Sequence, residues 1–375
     1  MLSHSQRVKC EGRFSVKINR KYVYYIRDKR GLFEFTLLSF VIFIPFIIPQ
    51  STYACAPLIG HVTFSKANKN AVVSVSDSRG IAESWYLKTR RPMQDLYLFD
   101  LHNAHLITDL AKEKTSNQFG LVNPHSLVRI GHDKYYFLIQ RRDNCTKWEW
   151  WTWHPGKYIK RVCSWDGGLV RQATYNNNLH SIVLKIYDGM ESISLMSLSC
   201  RVTPIIHGSI PKIINQDNKG DILYTRDNVL YRWEPSCKCS KQLGGLKDIK
   251  FVSCSGYLHG SFYYAGPISW HSTRTEHNSY TMGVYQYTKS GVIKVKEFSA
   301  KDSHCTIADG KLFYTGDNEY SLYALNIKDK KETRLTNPGH FDVASGAVDG
   351  RILFVGDDNK IGILDLAHHT IRYLQ

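Results

Sequence analysis

Between Cys305 and Leu374 one pattern occurs twice, and it limits the fold more than any other feature of the chain. The first copy runs CTIADGKLFYTGDNEYSLYALNIKDKKETRL over Cys305–Leu335. A short apolar run precedes Asp309-Gly310, and Lys311–Thr315 follows it. A turn at Gly316-Asp317-Asn318 leads into Ser321–Ile327, and a turn at Lys328-Asp329-Lys330 into Glu332–Leu335. The second copy gives Phe341–Val348, Asp349-Gly350, Arg351–Val355, the turn Gly356–Asn359, Lys360–Leu366 and Thr370–Leu374. Asp-Gly between two apolar runs is a strong short-range hairpin signal, because both central residues of a tight hairpin turn need positive φ. Each copy therefore predicts four antiparallel strands.

The same plan extends upstream with more drift. Leu96–Leu101 and Ala104–Leu110 read as the last two strands of a first unit. Tyr135–Gln140, Thr146–Trp153 and Tyr158–Val162 form a second. His180–Tyr187, Ile193–Leu198 and Val202–Ile206 form a third, and Asp221–Thr225, Val229–Trp233 and Ser240–Leu243 a fourth. Leu258–Ala265, Met282–Tyr287 and Val292–Phe298 make a fifth, with an insertion at His271–Ser279. With the two C-terminal copies this is about seven units of roughly 45 residues, the period of four-stranded propeller blades. An aromatic share of 13% suits pleated, half-buried surfaces. No segment of the body shows a 3.6-residue apolar period, which argues against a helical solenoid. The expected fold is all-β: a β-propeller over residues 55–375, with an irregular pair of β-sandwiches as the alternative architecture.

Residues 1–54 read differently. Phe35–Ile48, FTLLSFVIFIPFII, is free of charge and follows Arg27, Lys29 and Arg30. A basic region, a short apolar core and small residues at Thr52 and Ala54 fit a secretory signal cleaved after Ala54. The apolar stretch is shorter than the roughly 20 residues of a comfortable transmembrane helix. The leader is long for a signal, so an uncleaved signal-anchor is the rival reading. Either way residues 35–48 contact the membrane, and the positive charge keeps the body on the extracytoplasmic side: periplasmic, secreted or anchored facing out.

The nine cysteines are Cys10, Cys55, Cys145, Cys163, Cys200, Cys237, Cys239, Cys254 and Cys305. Loss of Cys10 with a signal leaves an even set, compatible with disulfides in an oxidising compartment. Spacing does not fix the pairing; Cys145 and Cys163 flank one expected hairpin and could face one another, and Cys237-x-Cys239 lacks the C-x-x-C spacing of zinc or redox motifs. The competing reading is that most are buried small hydrophobes.

The repeat at Ala308–Tyr314, Leu322–Asn326 and Thr333–Thr336 resembles the TolB-like propeller repeat family: an Asp-Gly hairpin ending in Tyr, a Leu-Tyr strand ending in Asn, and a closing Leu-Thr. Leu96–Leu101 and Ile361–Leu366 repeat the middle element. That resemblance implies an extracytoplasmic interaction platform. Gly131-His132 before Trp165-Asp166, and Gly339-His340 before Leu364-Asp365, resemble WD40 repeats, which would imply a cytosolic scaffold instead.

For chemistry, the most unusual segment is Trp148-Glu149-Trp150-Trp151-Thr152-Trp153. On a strand, Trp148 and Trp150 face one way and Trp151 and Trp153 the other. Packing between blades uses large aromatics on both faces; the functional alternative is an aromatic platform for a glycan or protein. Candidate binding residues are Trp148, Trp150, Trp151, Trp153 and, in the insertion, His271 and Glu276. No phosphate loop, dinucleotide fingerprint or Gly-x-Ser-x-Gly elbow is present, no cofactor is expected, and no metal-ligand spacing stands out among the 16 His. Ser164-Trp165-Asp166-Gly167-Gly168 reads as a turn. The net charge of +16 has no clustered basic face, so nucleic acid is not expected as a partner. The expected function is a binding scaffold for another protein or a surface glycan. The alternative is a propeller enzyme of glycosidase or lyase type, which would gather carboxylates at a central channel mouth.

Overall fold

The computed structural model describes residues 58–65, 69–76, 96–113, 119–141, 147–207, 212–216, 219–258, 260–272, 278–288, 290–316, 321–337, 343–356 and 361–373. The basic leader, the apolar segment 35–48, Cys145 and Glu276 lie outside them. Among the described residues no helix is long and apolar enough to cross a membrane.

Nearly every regular element is a strand, and within each sheet the strands pair antiparallel in sequence order, apart from one doubled position in the second unit. The first unit is Leu58–Phe64, Asn70–Ser76, Leu96–Asp100 and His105–Asp109. In the second, Phe119–Val122 and Val128–Ile130 both pair with Lys134–Arg141, followed by Trp148–His154 and Tyr158–Trp165. Leu169–Asn176, Ser181–Asp188, Met190–Ser197 and Val202–His207 form the third. The fourth is Lys212–Gln216, Ile222–Arg226, Val229–Glu234 and Cys239–Gly245.

The fifth unit opens with Cys254–Leu258, Ser261–Ser272 and Asn278–Thr288. It then shares the long strand Gly291–Ala308 with the sixth unit, which continues through Lys311–Gly316, Leu322–Asn326 and Glu332–Arg334. These two units are one seven-stranded sheet. The last sheet is Val343–Val348, Arg351–Val355, Ile361–Asp365 and Thr370–Tyr373.

The Asp-Gly turns behave as their chemistry requires. Asp309 and Gly310 have φ of 48° and 77°, and Asp349 and Gly350 have 44° and 69°. Each pair is the two-residue loop between facing partners Ala308 and Lys311, or Val348 and Arg351. Positive φ at both positions matches the twist of the strands they join.

A second signature repeats that no sequence motif announces. In the first five units the fourth strand holds one extra residue against the third. The extra residues are Ile107, Val162, Ile205, Leu243 and Val295, opposite the steps Leu98/Phe99, Trp150/Trp151, Ile193/Ser194, Leu230/Tyr231 and Val284/Tyr285. All five are apolar, and four of them pack onto neighbouring core clusters. A bulge at one position in successive units gives each sheet the same local increase in twist.

Packing runs around the sheets in order. Val72, Leu96 and Leu98 of the first unit meet Tyr135, Phe137 and Trp153 of the second. Leu138 and Trp150 of the second meet Ile182, Leu184 and Met196 of the third. Val183 and Ile193 meet Tyr224 and Trp233 of the fourth, and Leu223 and Leu230 meet Tyr264 and Tyr285 of the fifth. Met282 and Phe298 meet Leu312 and Tyr314; Phe313 and Leu322 meet Ile352 and Phe354 of the last. The last sheet then returns to the first, where Leu353, Ile361 and Ile363 share a cluster with Val73, Tyr97 and Phe99. Each sheet thus has apolar residues on both faces, one for each neighbour. This is the packing of a β-propeller, in which sheets leave only short, protected edges.

Polar contacts span the same boundaries. The buried Asn123 side chain donates to Val170 O at 2.9 Å, and Asn176 repeats the device on Gly220 O at 2.9 Å. Each Asn also accepts a backbone N–H from its own turn, from His125 and from Asn178. A buried amide that satisfies both turn and neighbour fixes their relative position. The Asp309 carboxylate accepts Gly350 N–H at 3.0 Å, linking the two Asp-Gly turns. Arg372 Nη1 donates to His102 O at 2.6 Å, from the last strand to the first unit.

Three disulfides join the six described cysteines: Cys163–Cys200, Cys237–Cys239 and Cys254–Cys305. The first and third tie successive units together. Cys163 therefore pairs with Cys200 and not with Cys145, the partner its hairpin position left open. It lies on the outer strand of the second unit, beside the turn of the third that carries Cys200, so the bridge crosses between sheets and not within one.

Candidate functional site

The tryptophan strand Trp148–His154 alternates as a strand must. Trp150 belongs to the interface with the third unit and stands edge-on to Trp165, with ring centroids 5.9 Å apart. Trp153 belongs to the interface with the first unit and lies 6.0 Å from Tyr135. Both are fully buried, whereas Trp148 and Trp151 are half-buried at the edges of the same two clusters. Trp153 Nε1 donates to Glu113 Oε2 at 2.7 Å, and the same carboxylate accepts Gly156 N–H from the following turn. Glu149 is buried beside Arg161 at 3.1 Å and Arg141 at 3.6 Å, and accepts from Trp151 Nε1 at 3.1 Å. The strand is braced on both faces, and two of its four rings present no surface to a ligand.

The insertion is placed differently. Ser261–Ser272 and Asn278–Thr288 are the longest hairpin pair among the described residues, paired from Phe262↔Tyr287 out to Ser272↔Asn278. Near its outer end Trp270 is 66% exposed, unusual for so large an apolar side chain, and His271 beside it is also exposed. Trp270 pairs with Tyr280 and His271 with Ser279. Sequence reasoning marked His271 and passed over Trp270, whose exposure appears only once the hairpin outruns the blade.

A second feature was missed. The first strands of consecutive units lie against one another, so their outward side chains face the middle of the ring. Where those of the first three units meet, a cavity of about 410 Å³ is lined by Thr63, Leu127, Val128, Arg129, Gly131, His132, Thr174, Tyr175 and Asn177. Gly131 is at φ 65°, and Arg129 Nη1 donates to its carbonyl at 3.0 Å. Outside that lining, His125 lies near Arg171. Loss of water around the His125 ring, and then the nearby Arg171 charge, hold its pKa below the ordinary histidine value. Desolvation, with Tyr136 beside it, pushes the Tyr175 phenol up. Among the described residues no group of three or more His, Cys, Asp or Glu gathers as for a metal ion.

Ser164 and Trp165 end the strand Tyr158–Trp165, and residues 166–168 connect it to the third unit, with Trp165 Nε1 donating to Gly168 O at 2.7 Å.

No family model matches the chain, and no curated protein matches it. Among solved structures it is similar to the tricorn protease, with 13% identity and a TM-score of 0.45 over 68% of this chain and 26% of that one. It is also similar to a chain of a nidogen/laminin complex, with 9% identity and a TM-score of 0.42 over 64% of this chain and 89% of that one. The chain thus spans about a quarter of the length of the tricorn protease chain.

Proposed function

We propose that the chain is an exported or membrane-tethered interaction scaffold: seven four-stranded blades closed in one ring, presenting the fifth-unit hairpin to another protein or to a surface glycan. The observation that carries this reading is Trp270, 66% exposed beside His271 on a hairpin held by the longest described strand pairing. A large aromatic on a rigid extension is the kind of anchor on which interfaces concentrate their energy. Trp148 and Trp151, half-buried at the blade edge, are secondary contact candidates, and Glu276 belongs to the same insertion as His271. Seven apolar clusters linking each unit to the next support the blade number. The repeat at Ala308–Thr336 supports a TolB-like kinship. Export, with residues 35–48 at the membrane, is supported by the basic leader and by the pairing of all six described cysteines.

Crosslinking the full chain to its neighbours at the cell surface, with Trp270→Ala as the comparison, tests the reading. The expected result is a discrete crosslinked partner whose yield falls at least about tenfold in the variant, as loss of a hot-spot aromatic predicts. The thermal midpoint should be unchanged, because an exposed ring contributes little to folding. An identical crosslinking pattern for both proteins would remove the hairpin from the function.

A further inference from the structure

The cavity where the first three units meet has a wall chemistry distinct from that of the hairpin. Arg129 is its one permanent charge, and His132 lies two residues beyond the end of the same arm. No Asp or Glu is among its lining residues. Among the described residues Arg129 has no carboxylate within ion-pair distance; the bond to Gly131 O uses one of its five N–H donors. Thr63 and Thr174 bring hydroxyls, Asn177 an amide, and Tyr175 a phenol held neutral. Leu127 and Val128 add an apolar patch.

We propose that this cavity binds a small polyhydroxylated acid of the uronic-acid class. The carboxylate would pair with the Arg129 guanidinium, whose planar fork matches it. Ring hydroxyls would meet Thr63, Thr174 and Asn177, and the less polar sugar face the Tyr175 and Leu127 side. One fixed positive charge balances one carboxylate and not a phosphate dianion, which selects the charge of the ligand. A cavity of about 410 Å³ lies within the range of small-molecule sites and exceeds what a lone inorganic anion fills.

Isothermal titration of the full chain in detergent with glucuronate, glucose and inorganic phosphate is the test. Glucuronate should bind measurably, glucose at least about tenfold more weakly, and phosphate should fail to compete at equal concentration. Arg129→Ala should reduce glucuronate affinity at least about tenfold. Arg129→Lys, which keeps the charge but loses the fork, should fall between the two and covers the case in which the alanine variant does not fold. Thr174→Val should weaken binding without altering the preference over glucose. Undetectable glucuronate binding, equal binding of glucose, full competition by phosphate, or an Arg129→Ala protein that folds and binds as before would each overturn the assignment. Trp270→Ala should leave glucuronate affinity untouched, so failure here and failure of the hairpin reading are separable.

Discussion

Replacing Trp153 by alanine is expected to lower unfolding free energy by about 3–5 kcal/mol, the cost of removing a fully buried tryptophan. The ring fills the interface between the first and second units, against Leu96, Leu98 and Phe137, and is 0% exposed. Two effects add. The void left behind lies between two sheets that cannot close on it without shifting their strands. The Glu113 carboxylate also loses its shortest donor and, among the described residues, keeps only Gly156 N–H. The two can be separated with phenylalanine. Trp153→Phe keeps most of the packing and removes the N–H, at about 1–3 kcal/mol for leaving a charged acceptor short of a partner. Trp150→Phe is the control, because Trp150 Nε1 has no hydrogen-bond partner among the described residues, and it should cost less. Urea unfolding followed by near-UV circular dichroism measures all three, and equal losses for the two phenylalanine variants would contradict the role given to Glu113.

Breaking the Cys254–Cys305 bridge is the second large effect. It joins the first strand of the fifth unit to the start of the sixth across 51 positions of sequence. Freeing a loop of that length in the unfolded chain removes about 4 kcal/mol of stabilisation by the chain-entropy argument. The bridge between Cys237 and Cys239 spans a separation of 2, so its loss should matter far less. The double variant Cys254→Ala/Cys305→Ala should therefore melt well below Cys237→Ala/Cys239→Ala, with intact bridges checked by non-reducing mass spectrometry. Similar midpoints would contradict the placement of Cys254 and Cys305 across a unit boundary.

The strands that sequence made legible are those in the middle of each sheet. Lys311–Gly316 and Arg351–Val355 carry period-2 or continuous apolar runs, since they pack against a neighbour on both faces, and Asp-Gly turns mark their starts. The first strands of the upstream units, such as Leu169–Asn176 and Lys212–Gln216, went unread. One side of such a strand faces the middle of the ring, so Arg171, Gln172 and Thr174 interrupt the apolar pattern that signals a strand. The cavity residues come from those strands. Gly131-His132 drew notice only as a WD40-like dipeptide, and Arg129 and Tyr175 not at all. The tryptophan segment was legible as a strand with two aromatic faces. What sequence could not supply was the partner sheet on each side, which buries Trp150 and Trp153. The apolar bulge residues Ile107, Val162, Ile205, Leu243 and Val295 are individually ordinary and become a pattern only once strand register is known.

The closed ring rests on the last sheet meeting the first. At that seam a Cβ on Gly346 would sit 3.4 Å from Val62 Cβ, close to the separation across a disulfide. Gly346 does not occupy the positive-φ region, and the tip of the Phe64 ring, 3.3 Å from such a Cβ, needs to yield only a few tenths of an ångström to admit a cysteine. The double variant Val62→Cys/Gly346→Cys should form a bond on mild oxidation of the native protein, read as a faster-migrating band on a non-reducing gel and one new cross-linked peptide by mass spectrometry. If both cysteines instead stay free to react with a thiol reagent under native conditions, the first and last units do not meet, and the ring is not closed.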